Sequence, residues 1–154
     1  MKAVLDANVF IRGKGLPDFD RYYTVPVVME ELESSSSRLS FDTTQVEVRE
    51  PDRVSLAEVE EKADEIHART SEVDERLVAL ALETGSAVIS DDMGLQNLAS
   101  HLDVEFQSYL GDEIDEQRCW KMVCQNCGAE VEGERCGRCG STQVQRKPGQ
   151  CSSG

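Results

Sequence analysis

Short apolar runs alternate along residues 1–110 with longer segments whose apolar positions recur at helical spacing. The first run begins at residue 2 and ends at Asp6, and the runs at 22–25 and 87–89 likewise end beside polar residues. Runs of this length with polar boundaries are typical of buried parallel strands. Alternating polar and apolar residues at 45–48 predict another strand, and residues 104–106 predict a last short one.

Helices are predicted between these strands. Residues 55–69 place apolar side chains on one face and acids on the other, and a helix over 77–82 ends at Gly85. Shorter helices are expected at 8–12, from Pro26 onward and at 93–101, and the serine run at 34–37 is expected to be a flexible loop. This alternation predicts an α/β fold, with a parallel sheet flanked by helices on both faces.

The pattern changes at residue 117, where cysteine and glycine replace the apolar periodicity. The change predicts an α/β domain over residues 1–116, followed by a small cysteine-rich unit over residues 117–145. Residues 146–154 are predicted to be a basic, flexible tail.

Charge is unevenly distributed along the chain of 154 residues, which carries 30 acids and 16 bases, a net charge of −14. High salt screens self-repulsion of this size. Because the acids are spread along the chain, we interpret them as an adaptation to a salt-rich cytoplasm, with an acidic binding face as the alternative. Residues 117–154 carry 6 bases and 3 acids, which predicts contact with a polyanion.

The sequence contains neither an apolar stretch long enough to span a membrane nor the pattern of a secretory signal. We therefore expect a cytoplasmic protein that makes no membrane contact and needs no small-molecule organic cofactor. Disulfides are disfavoured in that compartment, so Cys119 and Cys151, which lie outside the pattern of the other cysteines, are predicted to be free thiols.

Carboxylates follow predicted strands or begin predicted helices at four places in the chain. They are Asp6, the pair Glu30 and Glu31, Asp74, and the pair Asp91 and Asp92. Each place has an ordinary structural explanation: helix caps at residues 6 and 91–92, a capping box from Ser71 to residue 74, and solvated helix surface at 30–31.

A functional explanation of these acids is chemical. Ligands bind beyond the carboxyl ends of strands in open α/β sheets. Oxygen ligands clustered there suit Mg²⁺ or Mn²⁺, and a divalent cation offsets the repulsion between carboxylates. Such an ion activates water and neutralises charge on a phosphodiester, so the acids indicate metal-dependent phosphodiester hydrolysis.

Two Cys-x-x-Cys-Gly motifs, separated by eight residues, are the strongest signal in the chain. Their four candidate ligands are Cys124, Cys127, Cys136 and Cys139. Four thiolates in two close pairs predict one structural Zn²⁺ site, whose binding supplies much of the folding free energy of the unit. A rubredoxin-type iron centre and a pair of redox motifs are the alternatives.

Basic residues surround these motifs and are predicted to contact RNA phosphates, the alternative being that they only keep a small unit soluble. They are Arg118, Lys121, Arg135, Arg138, Arg146 and Lys147. Trp120 is expected to pack on the small unit, with base stacking as the alternative. His67 and His101 are expected to have surface or helix-end roles.

The acidic segments resemble, in order and spacing, the motifs of PIN-domain nucleases. These motifs are Leu5-Asp6-Ala7-Asn8, Val25-Pro26-x-x-x-Glu30-Glu31-Leu32, Ser71-x-x-Asp74 and Val88-Ile89-Ser90-Asp91-Asp92. The resemblance covers residues 1–110 and implies a metal-dependent endoribonuclease on a PIN-like fold. The acids that match the family's catalytic quartet are Asp6, Glu31, Asp74 and Asp92.

The resemblance also implies roles for neighbouring residues. Glu30 and Asp91 are alternative catalytic acids, because the chain has two adjacent acids where the family pattern has one. Residues 6 and 92 are expected to bind catalytic Mg²⁺ or Mn²⁺. Asn8 and Ser90 match polar residues that orient an acid or the water, and Asn97 matches one branch of the family.

A PIN-like domain followed by a four-cysteine zinc ribbon resembles the archaeal endonucleases that mature the 3′ end of small-subunit rRNA. This resemblance extends over nearly the whole chain. It implies cleavage of precursor small-subunit rRNA on the nascent small ribosomal subunit. The alternatives are a non-catalytic RNA-binding assembly factor of that subunit, a toxin-type PIN ribonuclease acting on other RNAs, and a DNA-directed zinc-ribbon protein of the transcription machinery.

Overall fold

The structure, a computed structural model, describes residues 1–12, 15–34 and 45–151. Most of the serine run predicted to be a loop therefore lies outside the described residues. The expected alternation of strands and helices is confirmed in the part of the chain that the structure describes. No helix among the described residues is long and apolar enough to cross a membrane.

Five parallel strands form the central sheet, in the order β3-β2-β1-β4-β5. They are β1 (Lys2–Leu5), β2 (Arg21–Thr24), β3 (Val46–Val48), β4 (Ala87–Ile89) and β5 (Phe106–Gln107). The two central strands β1 and β4 are buried almost throughout, as their apolar composition predicts. All five strands point the same way, so their carboxyl ends share one edge of the sheet.

Within the described ranges, five helices flank the sheet: α1 (Ala7–Arg12), α2 (Pro26–Ser34), α3 (Arg53–Glu65), α4 (Glu72–Thr84) and α5 (Met93–His101). Their ends follow local chemistry. Pro26 is the first residue of α2, and Asp52 caps α3 by accepting a hydrogen bond from the Ser55 N–H at 2.7 Å. Helix α3 ends before the predicted residue 69, because His67 adopts a positive φ of 55°.

The core lies between the sheet and the long helix α4. Leu77 and Leu80 of α4 are fully buried, as are Leu5 and Ile89 of the central strands. Gly85 ends α4 with a left-handed φ of 67°, a conformation that favours glycine. This packing fixes α4 against β1 and β4, and with it the position of the first turn of α4 at the carboxyl edge.

Strands β6 (Cys119–Cys124) and β7 (Val144–Gly149) form a separate antiparallel pair. The prediction of a flexible tail from residue 146 is wrong for residues 146–149, which pair with β6. Sequence alternation does not reveal β7, because it consists largely of polar residues and includes Pro148. The strand is defined instead by its pairing with β6.

Cys119 and Cys151 form a disulfide, with their Cα atoms 5.1 Å apart, so the prediction of two free thiols is wrong. The pairing follows from the register of the hairpin. Cys119 lies opposite Gly149, which brings the cysteine two residues beyond the end of β7 back to the start of β6. The disulfide therefore joins the two strands at the end that lies away from the four-cysteine cluster.

Candidate active site and metal centre

Asp6 lies at the carboxyl edge of the sheet, where β1 and β4 end side by side. Leu5 is in register with Ile89, so Asp6 and Ser90 are the next residues along the two strands. The Ser90 hydroxyl donates to Oδ2 of Asp6 at 2.6 Å, and the Ala7 N–H donates to Oδ1 at 2.7 Å. Both oxygens of this carboxylate are therefore held in fixed directions.

The environment of Asp6 disfavours its charged form. Burial raises the pKa of Asp6, and the hydrogen bonds from Ser90 and Ala7 lower it less than burial raises it. The charges of Asp92 and Asp91 raise the pKa further. A buried carboxylate near other carboxylates is the arrangement that a bound cation stabilises.

Asp74 combines two roles that the sequence presented as alternatives. It completes the predicted capping box of α4, because its N–H donates to the Ser71 hydroxyl at 3.1 Å and its carboxylate accepts from the Ser71 N–H at 3.2 Å. Burial raises the pKa of Asp74, and the charges of Asp92 and Asp6 raise it too. The helix cap thus also brings a third carboxylate toward Asp6.

Asp92 begins α5 and is the N-cap of that helix. Its Oδ1 accepts from the Leu95 N–H at 3.1 Å, and its own N–H donates to the Ser90 hydroxyl at 3.1 Å. A Cβ at Gly94 would lie 3.1 Å from this Oδ1, so glycine leaves room for the carboxylate. Ser90 is therefore bonded to both Asp6 and Asp92.

Asp91 has different hydrogen-bond partners from Asp92. Its Oδ1 accepts the N–H groups of Tyr109, Leu110 and Gly111 at 2.7, 3.1 and 2.8 Å. Burial raises the pKa of Asp91, but the three donors outweigh burial and the net shift lowers the pKa. Asp91 thus anchors residues 109–111, whereas the carboxylate of Asp92 caps α5.

The anchoring role of Asp91 predicts a stability effect. Asp91→Ala removes the acceptor of three N–H groups and is expected to lower the free energy of unfolding by about 2 kcal/mol, whereas Asp91→Asn keeps one oxygen and costs less. Asp112→Ala is the control, because it removes an exposed acid of the same segment. Chemical denaturation measures all three variants, and equal stability of Asp91→Ala and Asp112→Ala would contradict the anchoring role.

Among the described residues, the carboxylates of Asp6, Asp74 and Asp92 accept hydrogen bonds from Ala7, Ser71, Ser90 and Leu95. Glu30, Glu31 and Asn8 are the remaining candidates. Both glutamates are exposed on α2. Among neighbouring charges, those of Asp92 and Asp91 raise the pKa of Asp6 most. Those of Asp92 and Asp6 raise the pKa of Asp74 most, so these carboxylates influence one another. Asn8 is half-buried in the first turn of α1, and its side chain makes no hydrogen bond among the described residues.

The separation of the acids bears on how they could hold a metal. Among the described residues, groups of three or more possible ligands within 4.8 Å of one another contain cysteine, and the carboxylates of Asp6, Asp74 and Asp92 are not among them. One ligand oxygen from each of the three acids therefore does not lie within 4.8 Å of both others in the described part of the chain. Carboxylate oxygens are the ligands that hard divalent cations prefer, and such cations also retain waters.

The four cysteines predicted to bind zinc come together at the far end of the β6–β7 hairpin, with their sulfur atoms within 4.8 Å of one another. The Sγ atoms of Cys124 and Cys139 are 3.6 Å apart, as are those of Cys127 and Cys136. A tetrahedral Zn²⁺ with Zn–S bonds of about 2.3 Å places its sulfurs about 3.8 Å apart. The cluster therefore fits one zinc ion.

The titration of the thiols supports this fit. The Cys127 N–H and further donors lower the pKa of Cys124 to about 6. An N–H from Ala129 lowers the pKa of Cys127, but burial and the other three sulfurs outweigh it and raise the pKa to about 11. The N–H groups of Cys139 and Arg138 also lower the pKa of Cys136. Four thiolates this close repel one another, and a cation among them offsets that repulsion.

Comparison with known proteins shows the family of the chain. Residues 3–84 match the family described as the PIN domain of ribonuclease. The chain is 32% identical over 152 residues to Endoribonuclease Nob1 of Archaeoglobus fulgidus, covering 94% of this chain and 90% of the relative. It is 34% identical to Endoribonuclease Nob1 of Pyrococcus abyssi, covering 92% and 91%.

The chain belongs to the Nob1 family of PIN-domain endoribonucleases. The fold is also similar to that of VapBC2 from Rickettsia felis, with a TM-score of 0.56, 11% identity, and coverage of 70% of this chain and 98% of that one. At this identity the likeness concerns the fold alone.

The basic residues of this Nob1-family chain fall into separate places on the ribbon. Lys121 and Lys147 are exposed and lie directly opposite each other in the β6–β7 pair. Arg135 and Arg138 are exposed beside the cysteines. Arg146 is half-buried with its guanidinium 4.2 Å from the ring centroid of Trp120, so this tryptophan packs on its own unit.

Two features of the site were not predicted. Gln96 is fully buried and binds the backbone after β5, donating to the Asp112 carbonyl at 3.3 Å and accepting from the Ile114 N–H at 2.9 Å. Arg69 lies near Arg146, since its charge contributes to lowering the pKa of that residue. No local pattern marks either residue, because their partners lie far along the chain.

Proposed function

We propose that this chain is a metal-dependent endoribonuclease that cleaves precursor small-subunit rRNA near its 3′ end. One observation carries the proposal: Asp6, half-buried and held by Ser90 at the carboxyl edge of the sheet, faces the charges of other acids at the same edge. Uncompensated, these charges weaken the fold, which argues against a non-catalytic assembly factor. The relatives named as endoribonucleases support the same activity.

In this proposal Asp6 and Asp92 hold Mg²⁺ or Mn²⁺, and Asp74 completes the acidic cluster. A divalent cation bound there supplies an activated water and neutralises charge on the scissile phosphate. Ser90 keeps the Asp6 carboxylate oriented and bonds the backbone of Asp92. Glu31, with Glu30 as its alternative, and Asn8 complete the proposed set from α2 and α1.

The ribbon binds the RNA strand in this proposal through its basic residues. They are Arg118, Lys121, Arg135, Arg138, Arg146 and Lys147. Like charges directly opposite each other destabilise an antiparallel pair, and Lys121 faces Lys147 in this way. A phosphate between the two ammonium groups removes that repulsion. The relatives named Endoribonuclease Nob1, which match over nearly the whole chain, favour this assignment over a toxin-type ribonuclease.

We further propose that the enzyme acts on the nascent small ribosomal subunit, in a salt-rich cytoplasm. The net charge of −14 would repel RNA in dilute buffer, and high salt screens that repulsion. Circular dichroism over a KCl series checks the salt adaptation. A helical signal that rises with KCl agrees with it, and full structure in dilute buffer contradicts it.

The test of the proposed function is cleavage of an RNA that spans the 3′ end of precursor small-subunit rRNA, at high KCl with Mn²⁺ or Mg²⁺. One discrete cut is expected, lost with EDTA and in Asp92→Asn. Binding without any cut, under either ion, would contradict the enzyme and favour the assembly factor. Equal cutting by Asp92→Asn would show that the catalytic acids are wrongly assigned.

A further inference from the structure

A cavity of about 230 Å³ opens between the nuclease domain and the ribbon. Its lining contains three arginines from three parts of the chain: Arg69 from the segment before α4, Arg118 from the segment after β5, and Arg146 from β7. Trp120 contributes an aromatic wall. The cavity is strongly cationic in a protein whose net charge is −14.

None of these arginines forms an ion pair with an acid in the part of the chain that the structure describes. Burial lowers the pKa of Arg146, and the charge of Arg69 lowers it further, so the two guanidinium groups repel each other. The chain contains 30 acids, yet none that the structure describes forms an ion pair with these three arginines. An anionic ligand is the partner that such an arrangement lacks.

Two of the arginines are held in place by contacts that do not use up their phosphate-binding capacity. Arg146 stacks on Trp120 at 4.2 Å and donates to the His67 carbonyl at 2.8 Å. Arg118 is fixed through its backbone, because Asn97 accepts from its N–H at 2.7 Å and donates to its carbonyl at 3.0 Å. The guanidinium of Arg118 is left to line the cavity.

The cavity lies beside the acidic cluster. Met93 and Gly94 line it, and both belong to the first turn of α5, directly after Asp92. A nucleic-acid strand that places one phosphate at the acids therefore passes the cavity with a neighbouring one. Guanidinium groups bind phosphate through paired hydrogen bonds. Three of them around one cavity offer more hydrogen-bond donors than the two oxygens of a single carboxylate can accept.

We propose that Arg69, Arg118 and Arg146 form a subsite for a backbone phosphate of single-stranded RNA, next to the scissile phosphate. This inference rests on the proposed function, and it adds a residue, Arg69, that lies in the nuclease domain rather than in the ribbon. The subsite would set the distance between the strand held by the ribbon and the bond that is cut.

The experiment measures binding of a single-stranded RNA oligonucleotide to the full chain carrying Asp6→Asn, so that cleavage does not interfere. Trp120 is the sole tryptophan, and its fluorescence reports on the cavity directly. Arg69→Gln and Arg118→Gln are the test variants, because neither guanidinium forms an ion pair with an acid among the described residues. Arg53→Gln is the matched control: it removes the same charge at the N-terminal end of α3, outside the lining of the cavity.

RNA is expected to change the Trp120 fluorescence in the parent and in Arg53→Gln at the same concentration. Arg69→Gln and Arg118→Gln are each expected to bind about tenfold more weakly. Their plots of log affinity against log KCl concentration should be shallower by about 0.7, the loss of one phosphate contact on a single strand. These measurements are made at KCl concentrations where circular dichroism shows all four proteins folded.

Affinities and salt slopes of Arg69→Gln and Arg118→Gln equal to those of Arg53→Gln would overturn the subsite. A mononucleotide that binds as tightly as the oligonucleotide would overturn its assignment to an RNA strand. Failure of the proposed function has a different result. If RNA binding depends on Arg69 but the protein without the Asp6 substitution never cuts RNA, the nuclease proposal is contradicted and the subsite stands. If that protein cuts RNA but RNA binding does not depend on Arg69, the subsite is contradicted and the nuclease proposal stands.

Discussion

Asp6→Asn is expected to lower the rate of RNA cleavage about a thousandfold while the chain stays folded. The amide has the shape of the carboxylate: its single oxygen can accept from the Ala7 N–H, and its NH2 group can donate to the Ser90 hydroxyl oxygen. It lacks the negative charge that holds the cation. Loss of about 4 kcal/mol of transition-state stabilisation corresponds to this factor, since each 1.36 kcal/mol is tenfold in rate.

The same substitution is expected to raise stability when no divalent ion is present. The raised pKa of Asp6 means that the folded chain binds its proton more tightly than the unfolded chain does. Ionised Asp6 therefore lowers the free energy of unfolding at neutral pH. This penalty fades as the pH falls below the raised pKa and is gone below the ordinary value of 3.8. Asp6→Asn has no ionisable group at this position, so this penalty is absent at every pH.

Thermal unfolding with EDTA and with Mn²⁺ separates these effects. Mn²⁺ at a hundredfold excess over its dissociation constant should stabilise the wild type by about 2.7 kcal/mol and leave Asp6→Asn unchanged. Asp112→Asn, which neutralises an exposed acid outside the cluster, should respond to Mn²⁺ as the wild type does. An Asp6→Asn protein that is less stable than the wild type in EDTA, or that gains equally from Mn²⁺, would contradict the role of Asp6.

Much of this site could be predicted from sequence because its determinants are local. The apolar run before Asp6, the capping box at Ser71 and the pairs of cysteines each lie within a few residues, and each was found where predicted. Strand parallelism then gathers Asp6 and Ser90 at one edge, which requires only that β1 and β4 be neighbours.

The features that were missed depend on distant pairings. Adjacent acids at 91 and 92 look alike in the sequence, and residues 109–111 distinguish them by binding Asp91 alone. The disulfide depends on the register of β7 with β6, across a separation of 32 residues between Cys119 and Cys151. Arg69 and Arg146 meet only because the ribbon lies against the segment after α3.

Removal of zinc is expected to unfold the ribbon and leave the five-stranded sheet intact. The buried cluster of the ribbon consists of Cys124, Val131 and Cys136, and two of these three are themselves zinc ligands. Structural zinc contributes about 10–16 kcal/mol to the folding of zinc-finger peptides. The disulfide closes a loop worth about 4 kcal/mol in the chain-entropy account, which cannot replace zinc.

Two matched cysteine variants test this dependence on zinc. Cys127→Ser removes an exposed ligand, so its effect comes from the metal rather than from packing. It should lose the bound zinc, and hydrogen exchange of the amides at 120–149 should become fast while β1, β4 and α4 stay protected. Cys119→Ser removes the disulfide but no ligand, and it should keep one zinc per chain.

The two variants also show which cross-link, the bound metal or the disulfide, maintains the fold of the ribbon. The four-cysteine cluster lies at the Cys124 end of the hairpin and the disulfide at the Cys119 end, so zinc in the cluster and the disulfide would restrain different ends of β6. Unchanged protection at 120–149 in Cys127→Ser would mean that the disulfide and the strand pairing suffice, and iron in place of zinc in the purified protein would contradict the assignment of the metal. Fast exchange in Cys127→Ser alone would mean that zinc, rather than the disulfide, maintains the hairpin that carries the basic residues of the ribbon.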